Sequence, residues 1–123
     1  MEQSNILGLF RINDEIESFD PSDTRSGRRS ETLVKTDNLR VILVTMKAGA
    51  ELAEHDAPGP ITIHALTGRF TVGVEGQDTD LNTGSLLAVH ATVKHTVRAI
   101  EDGAFLLTIG WPGDQAHSHP TDA

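Results

Sequence analysis

The six histidines are the side chains of this 123-residue chain with the greatest potential for chemistry, since the chain contains no cysteine. Neutral imidazole is the commonest metal ligand in proteins, and it can also exchange a proton or a hydrogen bond with a small molecule. Five residues separate Gly49 from His55, and the segment that begins at Gly84 leads to His95. His55 and His95 are therefore the first candidates for a metal site or a polar ligand site.

Short apolar and β-branched runs, separated by glycines, surround these histidines. The predicted strands cover residues 32–34, 39–46, 61–66, 70–74, 85–89, 96–100 and 105–109. Short strands at such regular spacing favour a sandwich or barrel over βαβ units. The dipeptide Glu75-Gly76 predicts a hairpin after the strand at 70–74. No segment has a helical periodicity of useful length, so the sequence predicts an all-β fold.

The chain length fits one domain with flanking segments. Residues 1–30 are expected to form an N-terminal arm and loop, with the turn-rich stretch 13–31 predicted as loop. Residues 31–111 hold the predicted strands and should form the barrel. Residues 112–123 contain no large apolar side chain, so we expect a flexible C-terminal tail there.

The spacing around the candidate histidines resembles the two sequence motifs of the cupins, whose fold is a double-sheet jelly roll. His55 falls on the first histidine of the first motif, and His95 falls on the histidine of the second. Ala57 stands where the first motif has its second histidine, and Ile61 stands where it has glutamate. The resemblance implies an all-β, double-stranded β-helix or jelly-roll barrel of the small, single-domain, RmlC-like kind, with a degenerate metal motif.

The resemblance leaves the cofactor open between a divalent metal ion (Fe, Ni, Mn or Zn) and none. Two of the four usual ligand positions, His55 and His95, keep a histidine. A catalytic metal normally needs about three protein ligands. Two histidines alone would hold a divalent ion weakly.

His64 is the nearest further histidine that could act as a ligand. If Ile61 faces the barrel interior, strand alternation turns Ile63 inward as well and His64 outward. His64 would become a ligand only if a bulge shifted the strand register by one residue. The inward side chains Ile61 and Ile63, together with Ala57, are predicted to line an apolar pocket.

Two functions of different classes follow from these residues. The first is a binding protein that takes a small molecule into the barrel, with His55 and His95 as its polar groups and weak or absent metal binding. The second is a metal-dependent cupin enzyme, a dioxygenase or isomerase, with an incomplete histidine ligand set. A metal-free enzyme with a histidine base ranks last, because the chain has no tyrosine to stand opposite that base. No catalytic residue is assigned.

Charge and patterning indicate the partners. The formal net charge of −8 argues against nucleic acid and against anionic membrane surfaces. No apolar run reaches the length of a membrane span, and a cytoplasmic location is expected. The resemblance implies a homodimer. Residues 39–46 are nearly apolar on both faces and need cover on both, which the apolar segment 6–10 could supply by crossing to a partner.

Overall fold

The computed structural model describes residues 5–21 and 24–111 of the chain. These residues form one short helix, α1 (Ile12–Ser18), and nine strands. The strands are β1 (Arg28–Lys35), β2 (Leu39–Met46), β3 (Glu51–His55), β4 (Ile61–Thr67), β5 (Phe70–Val74), β6 (Gln77–Leu81), β7 (Leu86–Val89), β8 (His95–Ala99) and β9 (Gly103–Gly110).

The strands form two antiparallel sheets, and most strands that pair, apart from β1 with β2 and β5 with β6, are far apart in the sequence. The first sheet has the order β1-β2-β9-β4-β7, and the second has the order β3-β8-β5-β6. Consecutive strands such as β2 and β3, or β4 and β5, lie in different sheets, which is the connectivity of a jelly roll. The predicted all-β jelly-roll fold is confirmed.

The core lies between the inner faces of the two sheets. Phe70 on β5 and Phe105 on β9 are fully buried and meet edge to face, with ring centroids 5.2 Å apart. Such aromatic contacts between facing sheets bury large apolar areas and account for much of the stability of a domain of this size. The alternation predicted for β4 is confirmed, because Ile61, Ile63 and Ala65 are all buried in this core.

The prediction of loop throughout residues 13–31 is wrong for α1 and for the first residues of β1. Ile12 and Ile16 are four residues apart, so one helical turn brings them to the same side, where both are partly buried. A seven-residue helix is too short to give a clear periodic signal, and it forms here because the sheet offers a surface to pack on. The helix is also too short to cross a membrane, and no other described helix could do so.

Residues 12–21 cover the outer face of β2. The hydroxyl of Thr45 donates a hydrogen bond to the carbonyl of Phe19, and a hollow of about 370 Å³ remains between Ile16, Pro21 and Met46. Both Leu43 and Val44, on opposite faces of β2, are consequently buried within a single chain. Burial on both faces of the strand is thus seen for residues 43–46, and the crossing of residues 6–10 to a partner stays a prediction.

The hairpin predicted at Glu75-Gly76 is confirmed. Val74 pairs with Gln77 across a two-residue turn, and both turn residues have positive φ, 52° and 82°. This is the conformation of a type I′ turn, which suits the twist of the flanking strands. The turn fixes the register of β6, and with it the face on which Gln77 and Thr79 lie.

Replacing Phe105 by alanine should lower the free energy of unfolding by about 3–5 kcal/mol, because the cavity forms in a closely packed interior. Ile100→Ala, at a side chain that is 39% exposed, should cost about 1 kcal/mol or less. Urea unfolding at equilibrium measures both. Equal losses for the two variants would contradict the assignment of the core.

Candidate functional site

His55 and His95 lie side by side at one end of the second sheet. Their Nε2 atoms are 3.1 Å apart, and their ring centroids are 4.2 Å apart at an interplanar angle of 61°. His95 is buried, with 3% of its surface exposed, and His55 is partly buried. The structure thus brings together the two histidines that the sequence singled out.

Each ring lies within hydrogen-bond distance of a backbone carbonyl two residues before it. Nδ1 of His55 lies 2.9 Å from the carbonyl oxygen of Ala53, and Nδ1 of His95 lies 3.2 Å from that of Val93. A carbonyl oxygen only accepts, so these two hydrogen bonds assign the proton of each ring to Nδ1. In the neutral ring the other nitrogen is then an acceptor. Both Nε2 atoms therefore carry lone pairs, and these converge.

Two converging lone pairs make the site incomplete by itself. A hydrogen bond between the two Nε2 atoms needs a third proton, and that proton would give the pair a net positive charge. The alternative is that both lone pairs meet a donor or a cation that is not part of the pair. The arrangement therefore favours something electrophilic at this position: a proton, a hydrogen-bond donor or a metal ion.

Burial acts against the extra proton. Removal from water lowers the pKa of His95 below its ordinary value of 6.5, because the charged imidazolium is poorly solvated there. The hydrogen bond to Val93 raises this pKa, the neighbouring His55 lowers it, and the carboxylate of Asp56 raises it by the smallest amount. Burial thus disfavours the extra proton on His95.

An irregularity in β3 brings His55 into line with His95. Leu52 pairs with Val97, whereas His55 pairs with His95, so β3 contains one residue more than β8 over the same interval. In a regular strand Leu52 and Glu54 would share a face, and His55 would point to the other. The bulge instead keeps Leu52 and His55 on the inner face.

The row of paired residues that contains the histidines continues across the sheet. His55 pairs with His95, His95 with Val74, and Val74 with Gln77. Paired residues in neighbouring strands present their side chains to the same face. From strand to strand along this row, the end of the second sheet presents two imidazoles, then an apolar side chain, then an amide.

A hollow opens beside this row. It has a volume of about 410 Å³ and is lined by Val74, Glu75, Gln77 and Thr79. Thr79 pairs with the buried Val72 and Gln77 with the partly buried Val74, so both polar side chains lie on the inner face. Sequence reasoning missed Gln77 and Thr79. The signal was available, because the two-residue turn at Glu75-Gly76 determines which residues of the following strand share a face with β5.

The predicted apolar pocket residues lie next to the pair or deeper in the core. Ala57 and Ile61 are buried close to the end of β3, and Ile63 is fully buried one step further into the barrel. The loop between β3 and β4 is held in place by the backbone: the N–H of Thr92 donates to the carbonyl of Ala57, and the N–H of Gly110 donates to that of Pro60. Whether these side chains contact a ligand stays a prediction.

His64 lies on the outer face of the first sheet. It pairs with Leu86 on β7 and with Leu106 on β9, and the register runs without a break from Ile61 to Ala65. The shift in β4 falls after Ala65, beyond His64. The structure therefore leaves His64 apart from His55 and His95.

The residues around the pair do not fit a metal centre built by the protein alone. Within residues 5–21 and 24–111, no group of three or more histidine, aspartate and glutamate side chains is arranged to hold an ion. Ala57 and Ile61 stand where the cupin motif has its second histidine and its glutamate. Their side chains have no atoms that can bind a metal. The pair supplies two nitrogen ligands where about three protein ligands are normal.

Comparison with known proteins decides the family. The Cupin domain family profile matches residues 42–111, more than half of the chain. This chain belongs to the cupin family. The matched region runs from the middle of β2 to the residue after β9, so it includes both histidines of the pair and most of both sheets.

Solved structures of cupins share the fold. KdgF from Halomonas sp. has 24% sequence identity and a TM-score of 0.68, with 88% of this chain and 97% of that one covered. An RmlC-like cupin from Shewanella frigidimarina has 22% identity and a TM-score of 0.69, with 89% and 94% covered. Salicylate 1,2-dioxygenase from Pseudaminobacter salicylatoxidans has 19% identity and a TM-score of 0.65, and the match covers 71% of this chain and 27% of that enzyme. No curated protein matches the sequence.

The lowered pKa of His95 predicts a pH-dependent stability. In the unfolded chain histidine titrates near about 6.5, so below that pH the unfolded state binds more protons at this residue than the folded state does. The free energy of unfolding should be level above that pH and fall below it. Urea unfolding between pH 7.5 and 5.5, with a chelator present, should show a smaller fall for His95→Gln than for the wild type. Identical pH profiles for the two proteins would contradict this role of His95.

Proposed function

We propose that this cupin binds a small organic molecule at the end of its barrel, through a hydrogen-bond donor that the molecule presents to Nε2 of His55 and His95. The observation that carries the proposal is the convergence of these two acceptors while both Nδ1 atoms donate to backbone carbonyls. A hydroxyl or N–H group placed between them supplies the donor that the neutral pair lacks.

The surroundings support an organic ligand. The hollow beside the pair combines the apolar Val74 with the polar Gln77 and Thr79. Ligand sites typically join apolar walls to a few polar groups that fix orientation. Ala57 and Ile61 extend the apolar surface next to the pair. A ligand could therefore place its body against apolar side chains while its donor meets the imidazoles.

A metal-dependent cupin enzyme, a dioxygenase or isomerase, is the second candidate. One observation favours it: histidines that bind metals commonly donate their other ring N–H to a backbone carbonyl, as both rings do here. One of the solved neighbours is a salicylate dioxygenase. A bound metal would supply Lewis-acid or oxygen-binding chemistry. Its remaining ligands would have to come from outside the described residues.

Binding of simple donors tests the first candidate. Phenol has a hydroxyl donor and anisole, of similar shape, has none, so phenol should shift the NMR signals of the His55 and His95 rings and anisole should not. His55→Ala should weaken phenol binding by about tenfold, the loss expected when a hydrogen-bonding partner is removed from a buried site. His64→Ala, on the outer face, serves as the matched control and should bind as the wild type does. Equal binding of phenol and anisole would contradict the proposed donor site.

Metal content, measured in the wild type and in the same histidine variant, distinguishes the metal-dependent enzyme from the binding protein. Metal content per chain is determined for untagged protein purified without chelator, in the wild type and in His55→Ala. Stoichiometric Fe, Ni, Mn or Zn that is lost in the variant would favour the enzyme. Substoichiometric metal together with phenol binding would favour the binding protein.

We also propose that the chain forms a homodimer through its N-terminal arm and the outer face of the first sheet. Leu7 and Leu9 of the arm are 72% and 85% exposed, and Leu86 on the outer face is 60% exposed. Exposed apolar groups of this size on two surfaces of one chain are typical of a contact between copies.

Equilibrium sedimentation of the wild type at micromolar concentration should give the mass of a dimer. Leu9→Asp should shift the mass toward the monomer, because it would place a charge in the apolar contact. Ile100→Asp, a control at an exposed position outside the arm and the outer face, should leave the dimer intact. A monomeric wild type at micromolar concentration would rule out the proposed contact.

A further inference from the structure

Arg40 is a charged residue on the inner face of the first sheet. It pairs with Ile109 on β9, which pairs with Ile61 on β4, which pairs with Val89 on β7. The three partners are buried in the core. Because paired residues share a face, Arg40 belongs to the same inner row at the end of the barrel.

The guanidinium of Arg40 lies over the ring of Trp111, and one of its nitrogens is unpaired. Its Cζ lies 4.4 Å from the centre of the Trp111 ring. Its Nε is buried and has no hydrogen-bond partner among residues 5–21 and 24–111. Within the same ranges the ion pairs are Arg69–Glu101 and Arg98–Glu51, so Arg40 has no carboxylate beside it.

The neighbouring strand adds a second positive charge. Lys35 on β1 is the direct partner of Arg40 on β2. Like charges directly opposite each other in a sheet are destabilising. The chain has a net charge of −8, so two neighbouring positive charges at the end of the barrel are also unusual for its composition. An anion bound between them would relieve both the repulsion and the unmet hydrogen bond.

Arg40 and the histidine pair lie at the same end of the barrel. β3 ends at His55 and β4 begins at Ile61, which is in the row of Arg40. The edge strands β1 and β3 are adjacent, since Nε of Arg28 donates to the carbonyl of Glu51 at 3.0 Å. β2 is the neighbour of β1 in the first sheet, so it lies on the side of the barrel where β3 and β8 of the second sheet face it. The backbones of facing sheets lie about 10 Å apart, so side chains from both sheets at this end can reach one small molecule.

We infer that Arg40, held against Trp111, binds the acidic group of the ligand whose donor meets His55 and His95. This inference rests on the proposed function and names its ligand class: a small organic acid that carries a hydroxyl or N–H donor at its other end. A guanidinium stacked on an aromatic ring keeps its N–H edge in one plane, which matches the two oxygens of a carboxylate. Arg40 would thus select acids over their neutral counterparts.

Hydroxybenzoates and their amides test the inference. The 2-, 3- and 4-hydroxybenzoates vary the distance between hydroxyl and carboxylate, and each has a neutral hydroxybenzamide as its counterpart. Trp111 is the only tryptophan of the chain, so its indole N–H signal in NMR titrations reports on the Arg40 position alone. The signals of the His55 and His95 rings report on the donor end.

In the wild type, at least one hydroxybenzoate should bind about tenfold tighter than its amide, because hydrogen bonds between charged groups are the stronger ones. Arg40→Gln should abolish this preference, because it weakens binding of the acid more than binding of the amide. Arg40→Lys keeps the charge but loses the planar edge, so it should retain only part of the preference for the acid. This variant also shows whether the effect of Arg40→Gln is merely one of folding. Arg98→Gln, at an exposed arginine on the other sheet, is the matched control and should keep the full preference.

Equal affinity for acid and amide in the wild type would overturn the inference, and so would a preference that survives Arg40→Gln. Either result can occur while phenol still binds at the histidines, in which case the proposed function stands without this ligand class. If the wild type does not bind phenol, the proposed function itself is refuted.

Discussion

Two backbone hydrogen bonds set the chemistry of the candidate site. The carbonyls of Ala53 and Val93 each accept from Nδ1 of a neighbouring histidine, so neither ring can rotate to present a donor to the other. The Nε2 atoms of His55 and His95 are 3.1 Å apart, and their lone pairs consequently converge on one position. Burial disfavours the proton that would join them, and the site therefore requires a donor or a cation from elsewhere. The proposed ligand, the metal alternative and the role of Arg40 all follow from this requirement.

The bulge in β3 is the structural feature that makes this arrangement possible. Without the extra residue between Leu52 and His55, regular alternation would turn Glu54 toward the interior and His55 toward solvent. A buried carboxylate next to His95 would then favour the protonated imidazole, which is the opposite chemistry. The bulge thus sets both the position and the protonation of the pair, and no periodic pattern in the sequence reveals it.

The sequence predicted the elements that depend on local patterns. Glycine-separated β-branched runs indicated a sandwich or barrel, and the resemblance to the cupin motifs implied the jelly roll. The alternation of β4 placed Ile61 and Ile63 in the core and His64 outside. Motif spacing identified His55 and His95, which strand alternation alone would have missed.

Features that depend on tertiary contacts could not be predicted in this way. The helix α1 has too few residues for a periodic signal and is stabilised by packing on β2. Arg40 reads as an ordinary polar residue within a strand, and its significance appears only when the register of β2 with β9 places it on the inner face beside Trp111. The hydrogen bonds of the two imidazoles likewise depend on backbone positions that composition and spacing do not specify.

The protonation pattern of the two rings is the most direct test of this account. Two-dimensional ¹H–¹⁵N NMR spectra of the imidazoles at neutral pH, with a chelator present and no ligand added, distinguish the Nδ1–H from the Nε2–H tautomer of each histidine. The account predicts that both His55 and His95 are protonated at Nδ1. An Nε2–H tautomer in either ring would mean that the pair satisfies itself through a direct N–H···N hydrogen bond, and would contradict the claim that it needs an external partner.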